Sequence, residues 1–232
     1  MIAAHRGASA VAPESTAAAI RAAARAGARM IELDVQMTRD GRLVIFHDDR
    51  LERTTNGRGR LAKTPYASLA RLDAGAWFHP RFAGARVLLL SQALRLIPRR
   101  MRVNLELKSD RRIRALVRRV GHAVRRDAGR HDILLSSFDR HLLALVGRRR
   151  SARALICNRR PDQSLAHAIR AGLEAWHPQA ALVTAARVAR AHAAGCHVQA
   201  WTVDGLLQAR RLSRQGVDGI FTNDPGKFRG RA

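Results

Sequence analysis

The sequence predicts an α/β fold of the (β/α)8, or TIM barrel, class, with a short insertion between the second and third strands. Short apolar segments of strand character alternate with helix-like segments, and beyond residue 133 a strand begins about every 20 to 24 residues. The chain has 232 residues, slightly fewer than the roughly 250 typical of this barrel, so its loops must be short. A doubly wound sheet is the alternative, but no glycine fingerprint follows the first strand.

Eight segments show the strand pattern, and they are residues 1–5, 30–35, 102–108, 132–138, 152–157, 173–177, 197–203 and 219–223. Several helical segments between them begin near a good capping residue, namely Ser15, Asp139, Asp162 and Thr184. Several also end at a glycine, which favours helix termination. The helices predicted in this way are residues 15–27, 111–126, 139–150, 162–172 and 184–195.

The connection between the second and third strands breaks this rhythm. It runs for more than 60 residues, which is too long for a plain strand–helix unit. It begins with Asp40-Gly41 between alternating apolar residues, a strong signal of a β-hairpin. We therefore expect a single domain over residues 1–232, with a small hairpin-and-loop cap at about 38–88.

The chain is strongly basic, with a net charge of +25 that comes almost entirely from arginine. In the helix predicted at 111–126 the apolar residues recur at helical spacing and arginines fill the other positions, which indicates a solvated arginine face. Aromatic residues make up only 4% and do not interleave with the arginines, so we expect no specific nucleic-acid partner. The charge does leave weak association with an anionic membrane open.

The compartment is predicted from three negative observations. No apolar run approaches the roughly 18 residues that a membrane-spanning helix needs. The first residues lack a basic region followed by an apolar one, so they do not resemble a secretory signal. Two cysteines, Cys157 and Cys196, make no disulfide framework. The sequence therefore predicts a cytoplasmic protein.

The hairpin predicts a cluster of functional residues. With Asp40-Gly41 as a two-residue turn, Asp34 pairs with His47, and alternation places Glu32 on the same face. The opposite face is then apolar, with Ile31, Leu33, Val35, Met37, Val44 and Phe46. Two adjacent carboxylates are costly without a cation, and oxygen ligands favour Ca²⁺ or Mg²⁺. Salt bridges to the abundant arginines are the alternative reading.

Two further strands end in polar residues that a barrel would bring to the same mouth. In "VNLELK" the residues Glu106 and Lys108 alternate with leucines and lie on one face. The first strand ends in "HRG", where His5 and Arg6 precede Gly7, a residue expected to let a ligand approach the backbone. The carboxyl ends of the strands are where barrels of this class build active sites.

With these motifs the sequence resembles the glycerophosphodiester phosphodiesterases. The resemblance rests on "HRG" with "APEST", "IELDVQMTRDGRLVIFHDDRLERTTNGRGRL", "LDAGAWF", "NLELK", "SSF", "AWTVD" and "GVDGIFTNDP", which follow the order of the family. It implies a catalytic barrel with one divalent cation, Ca²⁺ or Mg²⁺, at its mouth. The matching positions are Glu32, Asp34 and Glu106 for the metal, His5 and His47 for catalysis, Arg6 and Lys108 for the phosphate, and Trp201 for the glycerol.

The activity implied by the resemblance is metal-dependent hydrolysis of a small glycerophosphodiester to glycerol 3-phosphate and an alcohol, through a cyclic phosphate. One alternative is a phosphodiesterase that acts on lysophospholipids at membranes, for which Trp77, Phe78 and Phe82 could supply an apolar rim. A more distant alternative is a non-catalytic binder of polyanions or nucleic acid, which leaves the histidines and carboxylates unexplained.

Four positions depart from the family pattern. Ser15 replaces an asparagine after "APE", Ser91-Gln92 replaces an acidic pair, and Asp204 replaces the asparagine of "WTVN". None of these positions is a predicted metal ligand or catalytic histidine. The departures therefore bear on substrate preference and on the packing of loops.

Overall fold

Eight parallel strands form a closed barrel in the computed structural model, which describes residues 1–109, 111–127, 129–147 and 151–230. The barrel closes because β1 pairs with both β2 and the last strand, so that Ala4 lies opposite Ile31 on one side and Thr222 on the other. The strands are β1 (Ile2–His5), β2 (Met30–Met37), β3 (Leu43–Ile45), β4 (Arg102–Leu107), β5 (Ile133–Ser137), β6 (Ala152–Cys157), β7 (Ala175–Pro178), β8 (His197–Ala200) and β9 (Gly219–Thr222). All but β3 are parallel, and β3 runs antiparallel to β2. The predicted (β/α)8 barrel and its eight strands are confirmed.

The helices cover the outside of the barrel. They are α1 (Ala17–Arg25), α2 (Tyr66–Leu69), α3 (Leu90–Leu96), α4 (Ile113–Arg126), α5 (Arg140–Val146), α6 (Pro161–Arg170), α7 (Ala185–Ala193) and α8 (Leu206–Arg214). The predicted helix at 139–150 extends into residues 148–150, which lie outside the described residues, as do residues 110, 128, 231 and 232 of the predicted domain. No described helix is both long enough and apolar enough to cross a membrane.

Two of the four predicted caps differ from the expectation. Asp139 and Thr184 do cap α5 and α7 through their side chains. In α1 the capping side chain is Thr16 rather than Ser15, because Ser15 adopts a left-handed backbone and donates its N–H to the carbonyl of Arg6. Asp162 lies within the first turn of α6 rather than at its cap, because the helix already begins at Pro161. In the first turn the carboxylate interacts favourably with the helix dipole.

The barrel interior has an apolar half and a polar half. Small and apolar side chains fill the end near the amino termini of the strands, and this interior cluster comprises Ala3, Met30, Leu134, Ala154, Ala175 and Phe221. Alternation then brings polar side chains to the interior near the carboxyl ends, among them Glu32, Asn104 and Glu106. The outward faces of the same strands pack against helices, as Leu33 and Leu105 do. The polar half is therefore the part of the barrel that can carry chemistry.

The hairpin register differs by one residue from the predicted register. Val35 lies opposite Ile45 and Met37 opposite Leu43, rather than Val35 opposite Phe46. The turn contains three residues instead of two, because Thr38 N–H donates to the carbonyl of Arg42 across it. Gly41 takes the left-handed conformation that a three-residue turn requires, with φ +77°.

The corrected register separates the apolar residues of the hairpin into two groups. Ile45 packs with Val35 in the core beneath the helices, whereas Val44 and Phe46 face the other way. They join a separate apolar cluster that also contains Leu51, Leu61, Leu69, Ala74 and Val87. The long insertion between β3 and α3 therefore has its own small core, built around the short helices Leu61–Lys63, α2 and Pro80–Phe82.

Leu105→Ala is expected to destabilise the barrel by about 2–5 kcal/mol, because Leu105 is fully buried between β4 and the helices and its truncation leaves a cavity. Urea denaturation followed by circular dichroism measures the change. Leu207→Ala is the matched control, since Leu207 is 80% exposed on α8 and its truncation should change the unfolding free energy by less than about 0.5 kcal/mol. Equal losses in the two variants would contradict this description of the core.

Candidate active site

Most of the predicted site residues line one cleft at the carboxyl ends of the strands. The cleft has a volume of about 200 Å³. Its lining includes seven of the eight predicted residues: His5, Arg6, Glu32, His47, Glu106, Lys108 and Trp201. Asp34, the eighth, lies beside the cleft with its carboxylate next to those of Glu32 and Glu106. The structure thus brings together residues that are up to 196 positions apart in the chain.

Strand register places the three carboxylates. Glu32 and Asp34 are two residues apart on β2 and point to the same side, and Asp34 lies directly opposite Glu106 on β4. One oxygen from each of the three carboxylates lies within 4.8 Å of the others. Glu32 and Asp34 are almost completely buried, and Glu106 is nearly so. Three negative groups therefore share one small volume that water hardly reaches.

Burial and neighbouring charges shift the pKa values of the three carboxyl groups in different directions. Burial raises the pKa of Glu32 well above its usual range, and the charges of Asp34 and Glu106 raise it further. Burial and the charge of Asp34 likewise raise the pKa of Glu106. Burial also acts to raise the pKa of Asp34, but the positive charges of Lys108 and Arg6 outweigh it and the pKa is lowered. Asp34 is therefore the carboxylate that the surrounding cations keep ionised.

Lys108 lies between two of the carboxylates. Its Nζ is 2.9 Å from Asp34 Oδ1 and also donates to Glu106 Oε1. Burial opposes the charged form, but the charges of Asp34 and Glu106 prevail and raise the pKa of Lys108 above its usual value. Lys108 is therefore a permanently charged ammonium group at the wall of the cleft.

Arg6 reaches the cluster from the end of β1. Its backbone has a left-handed φ of +56° and directs its N–H to Glu32 Oε2 at 2.9 Å. Its guanidinium donates to Glu14 at 3.1 Å, and its Nε lies 3.3 Å from Asp34 Oδ2. The alternative of salt bridges to arginine thus holds in part, because Arg6 is the one arginine among the described residues that pairs with this carboxylate cluster.

Gly7 serves packing rather than ligand approach, contrary to the expectation from "HRG". A Cβ atom at this position would lie 2.8 Å from backbone and side-chain atoms of Ala19 in α1. The residue also has a left-handed φ of +81°. Glycine is required here because the loop after β1 must pass close to α1 while it turns Arg6 toward the carboxylates.

His5 is held by a polar chain that fixes its tautomer. Its Nδ1 lies 2.8 Å from Asn223 Oδ1, and Asn223 Nδ2 donates to Asp204 Oδ2 at 2.7 Å. Since an ionised carboxylate can only accept, the amide nitrogen of Asn223 must face Asp204 and its oxygen must face His5. Neutral His5 therefore carries its proton on Nδ1 and presents an unprotonated Nε2, which lies 3.9 Å from Glu32 Oε2. Burial, followed by the charge of Arg6, lowers the pKa of His5.

His47 is held in a different way. Its Nδ1 contacts the carboxylate of Asp48, and Arg53 also binds that carboxylate and lowers the pKa of Asp48 to about 2. The buried side-chain amide nitrogen of Gln36 lies within hydrogen-bond distance, 2.8–3.0 Å, of three successive carbonyl oxygens, those of Phe46, His47 and Asp48. The segment that carries His47 is thereby tied to β2.

The predicted cross-strand pairing of Asp34 with His47 is wrong. The residue opposite Asp34 is Phe46, whose N–H donates to the Asp34 carbonyl at 3.0 Å. His47 lies beyond the end of β3, where the chain has left the regular strand. It still lines the cleft because Gln36 and Asp48 hold it there. The prediction therefore selected a residue that does line the cleft, but it did so from an incorrect register.

Aromatic side chains form the other wall of the cleft. Trp201 packs edge-on against Phe138, with ring centroids 5.7 Å apart, and its indole N–H donates to the carbonyl of His177. Ile156 and Phe221 complete this apolar side. One face of the cleft is thus charged and the opposite face is apolar.

Sequence reasoning missed several residues of the site. Asn104 and His177 line the cleft, and Asn223 and Asp204 position His5. Asn104 alternates in phase with Glu106, and His177 lies near the end of β7 as His5 does at the end of β1, so the same criteria could have found both. The link from His5 to Asn223 spans 218 positions and leaves no local signal.

Phosphoryl chemistry requires fixed positive charge and groups that move protons, and this barrel carries both at its carboxyl mouth, as do the barrel enzymes that act on phosphoryl groups. Comparison with known families narrows this class. Residues 5–227 match the glycerophosphoryl diester phosphodiesterase family. The chain belongs to that family and is a phosphoric diester hydrolase.

Relatives cover almost the whole chain. A glycerophosphodiester phosphodiesterase of Caldanaerobacter subterraneus subsp. tengcongensis is 33% identical over 231 residues, which are 97% of this chain and 94% of the relative. A phosphodiesterase from Oleispira antarctica has been solved in complex with the product sn-glycerol-3-phosphate. It is 31% identical to this chain with a TM-score of 0.93, and the match covers 98% of this chain and 94% of the Oleispira antarctica chain. A glycerophosphodiester phosphodiesterase from Agrobacterium tumefaciens is 29% identical with a TM-score of 0.85, covering 98% and 97%.

His177→Gln is expected to make the protein less sensitive to acid. Burial lowers the pKa of His177 from 6.5 to about 3, so between these values the unfolded chain binds a proton that the folded chain does not. The contribution to stability is therefore complete above the unfolded pKa and is lost as the pH falls toward the folded pKa. Urea titrations should show the variant losing roughly 2 kcal/mol less than wild type between about pH 6 and pH 4.5.

His122→Gln provides the control for this pH experiment, because His122 is exposed on α4 and should leave the pH dependence unchanged. If the His177→Gln variant lost as much stability as wild type over the same range, burial of a neutral imidazole would be the wrong description of this site.

Proposed function

We propose that this chain hydrolyses glycerophosphodiesters to glycerol 3-phosphate and an alcohol, with a divalent cation and two histidines as acid and base. One observation carries the proposal: three buried carboxylates share a site with two histidines whose Nδ1 atoms are both engaged. The Nε2 atoms of His5 and His47 are then left to exchange protons with a substrate in the cleft.

The residues present fit a divalent cation. Glu32 Oε1 accepts no hydrogen bond from the described residues, and Asp34 Oδ2 has only the charge contact with Arg6. Buried oxygens without donors are costly, and a cation satisfies them. Glu32, Asp34 and Glu106 would hold the ion, and their all-oxygen character suits Ca²⁺ or Mg²⁺. When bound, such an ion neutralises negative charge on the phosphate oxygens.

The partners of the two histidines favour different first roles. His5 contacts a neutral amide and has a lowered pKa, so it is available to accept a proton through Nε2. The carboxylate of Asp48, whose pKa is lowered to about 2, orients the ring of His47 through Nδ1, an arrangement that suits a proton donor. We therefore assign His5 as the first base and His47 as the first acid.

The reaction then proceeds in two balanced steps. In the first step His5 takes the proton of the glycerol 2-hydroxyl, the oxygen attacks phosphorus, and the bond to the alcohol breaks as His47 protonates the leaving oxygen. The cyclic phosphate that results is opened by water, with His47 taking the proton and His5 returning one to the 2-oxygen. Arg6 and Lys108 stabilise the negative charge that grows on the phosphoryl oxygens.

The size and lining of the cleft suit a glycerol phosphate. About 200 Å³ with an apolar wall of Trp201 and Phe138 accommodates a small moiety, whereas the charged wall suits a phosphate. The Oleispira antarctica relative was solved with sn-glycerol-3-phosphate as its product, which supports the same substrate class here.

We further propose that the insertion at 38–88 belongs to the catalytic domain as a cap over the site. Arg53 in the insertion binds Glu14, in the loop after β1, through two hydrogen bonds of 2.8 Å. It also binds Asp48, which orients His47. The insertion is thereby joined to both histidine-bearing loops.

Hydrolysis of lysophospholipids is a second candidate, favoured by apolar side chains around the mouth. Trp77 in the insertion is 42% exposed, Val11 in the loop after β1 is 45% exposed and Phe138 is 43% exposed. Arg81, in the insertion near Trp77, donates to the Val11 carbonyl and so joins the insertion to the loop after β1. Comparing turnover of lysophosphatidylcholine with that of glycerophosphocholine distinguishes the two candidates, and faster turnover of the lysophospholipid would put this reading first.

Glu32→Gln is expected to abolish activity and metal binding while the barrel stays folded. Without a divalent ion the variant should be at least as thermostable as wild type, because one of three crowded carboxylates is neutralised. Addition of Ca²⁺ or Mg²⁺ should stabilise wild type and not the variant. Glu52→Gln is the matched control, since Glu52 is exposed and pairs with Arg50 in the insertion. Full activity of chelator-treated wild type would overturn the metal assignment.

His5→Ala and His47→Ala are each expected to lower turnover of glycerophosphocholine by roughly 10²–10⁴-fold. A glycerophosphodiester with a p-nitrophenyl leaving group separates their roles, because that leaving oxygen needs no proton. In single-turnover release of p-nitrophenol, which reports the first step alone, His47→Ala should recover most of its loss and His5→Ala should not. His122→Ala should behave as wild type on both substrates. The reverse pattern would exchange the two roles, and near-wild-type rates in both variants would falsify the acid–base assignment.

Arg6→Gln is expected to cost about 2–4 kcal/mol in kcat/KM, the range seen when one donor to a developing anion is removed. Arg21→Gln, on the exposed face of α1, removes the same charge at a distance from the cleft and should change kcat/KM by less than a few-fold. Steady-state kinetics in 150 mM salt measures both. Similar losses in the two variants would mean that Arg6 contributes through general charge and not through contact with the phosphate.

A further inference from the structure

A second concave surface lies on the flank of the barrel, where the β2–β3 hairpin, α3 and α4 meet. It is a groove of about 780 Å³ and shares no lining residue with the catalytic cleft. Arginines from all three elements line it: Arg42, Arg95, Arg118, Arg119, Arg125 and Arg126. We call this surface the arginine groove. The groove brings together arginines from distant parts of the sequence. Arginines that were merely scattered over a solvated helix face would not converge in this way.

The charge of the arginine groove is not neutralised within the described part of the chain. None of its six arginines forms an ion pair within 4.0 Å of a described carboxylate. The one carboxylate that lines it, Asp127, is bound by the imidazole of His131 at 2.7 Å. By contrast Arg53 and Arg187, outside the groove, both bind carboxylates in a forked geometry. Like charges that converge without a partner attract an anion.

The shape of the groove indicates more than one phosphate group. Arg118 and Arg126 are eight residues apart on α4, so they span about 12 Å along the helix axis. Arg119 lies against the hairpin turn, where a Cβ on Gly41 would be only 2.9 Å from its Nη2. The absence of a side chain at Gly41 thus leaves room for the Arg119 guanidinium beside the hairpin turn, where α4 and the hairpin both line the groove.

We propose that the arginine groove binds a soluble polyphosphate, an anion in which several phosphate groups are linked. The planar guanidinium fork matches phosphate oxygens, and a chain of phosphates reaches arginines that a single phosphate cannot bridge. No Phe, Tyr or Trp lines the groove, so it lacks the stacking platform that nucleic-acid bases use. Its concave form suits a chain that enters it better than the flat surface of a membrane.

Isothermal titration with inorganic tripolyphosphate in 150 mM salt tests the proposal. Wild type should bind one chain per protein, and the variant with Arg118, Arg119, Arg125 and Arg126 all changed to Gln should bind at least about tenfold more weakly. The matched control changes Arg21, Arg25, Arg170 and Arg190 to Gln, which removes the same charge from exposed positions outside the groove. That control should bind tripolyphosphate as wild type does.

Turnover shows whether the groove variant is intact. Its kcat/KM on glycerophosphocholine should stay within a few-fold of wild type, because these arginines do not line the cleft and exposed charges are screened over about 8 Å at physiological salt. If the fourfold variant fails to fold, Arg42→Gln combined with Arg95→Gln tests the opposite walls and should also weaken binding. Both residues are exposed, so their replacement leaves the core unchanged.

Three outcomes would overturn the proposal. The first is equal weakening in the groove variant and its control, which would show a general effect of net charge. The second is no binding of tripolyphosphate to wild type in 150 mM salt. The third is binding to phosphatidylglycerol vesicles that depends on the groove while tripolyphosphate does not compete, which would make the surface a membrane contact instead.

Discussion

The structure depends on a buried excess of negative charge at the mouth of the barrel. One oxygen from each of Glu32, Asp34 and Glu106 lies less than 5 Å from the others, and Lys108 and Arg6 are the permanent cations of the described chain that pair with them. Burying such a cluster costs folding free energy, and clusters of this kind are found mainly at functional sites. The β2–β4 register holds it in place, and the pKa values of the three groups diverge because their cationic neighbours are unevenly distributed.

The same charges organise the loops around the cleft. Arg6 connects the cluster to Glu14, Glu14 binds Arg53 in the insertion, and Arg53 binds Asp48 next to His47. This chain of ion pairs starts at the buried carboxylates and ends at the second histidine. These contacts join the buried carboxylates to the insertion through groups in direct contact.

The two histidines are chemically alike but sit in opposite environments. His5 is buried and contacts an amide that is itself oriented by Asp204, whereas His47 is part-exposed and contacts a carboxylate. Burial lowers the pKa of His5, whereas the carboxylate of Asp48 orients the ring of His47. Two side chains of the same kind can thus take the different roles proposed for them, because the residues behind each ring differ.

The sequence by itself determined the barrel, its eight strands and most of the charged residues of the site, because alternation along a strand and the carboxyl-end rule act locally. It did not determine the hairpin register, since Asp-Gly suits turns of two or three residues and only the packing of Val44 and Phe46 beneath the insertion selects one. The partners of His5 were decided by the tertiary structure, because Asn223 reaches it only when β9 closes the barrel against β1. The arginine groove likewise exists only where the hairpin, α3 and α4 meet, because a sequence shows how many arginines there are and not which of them face one another.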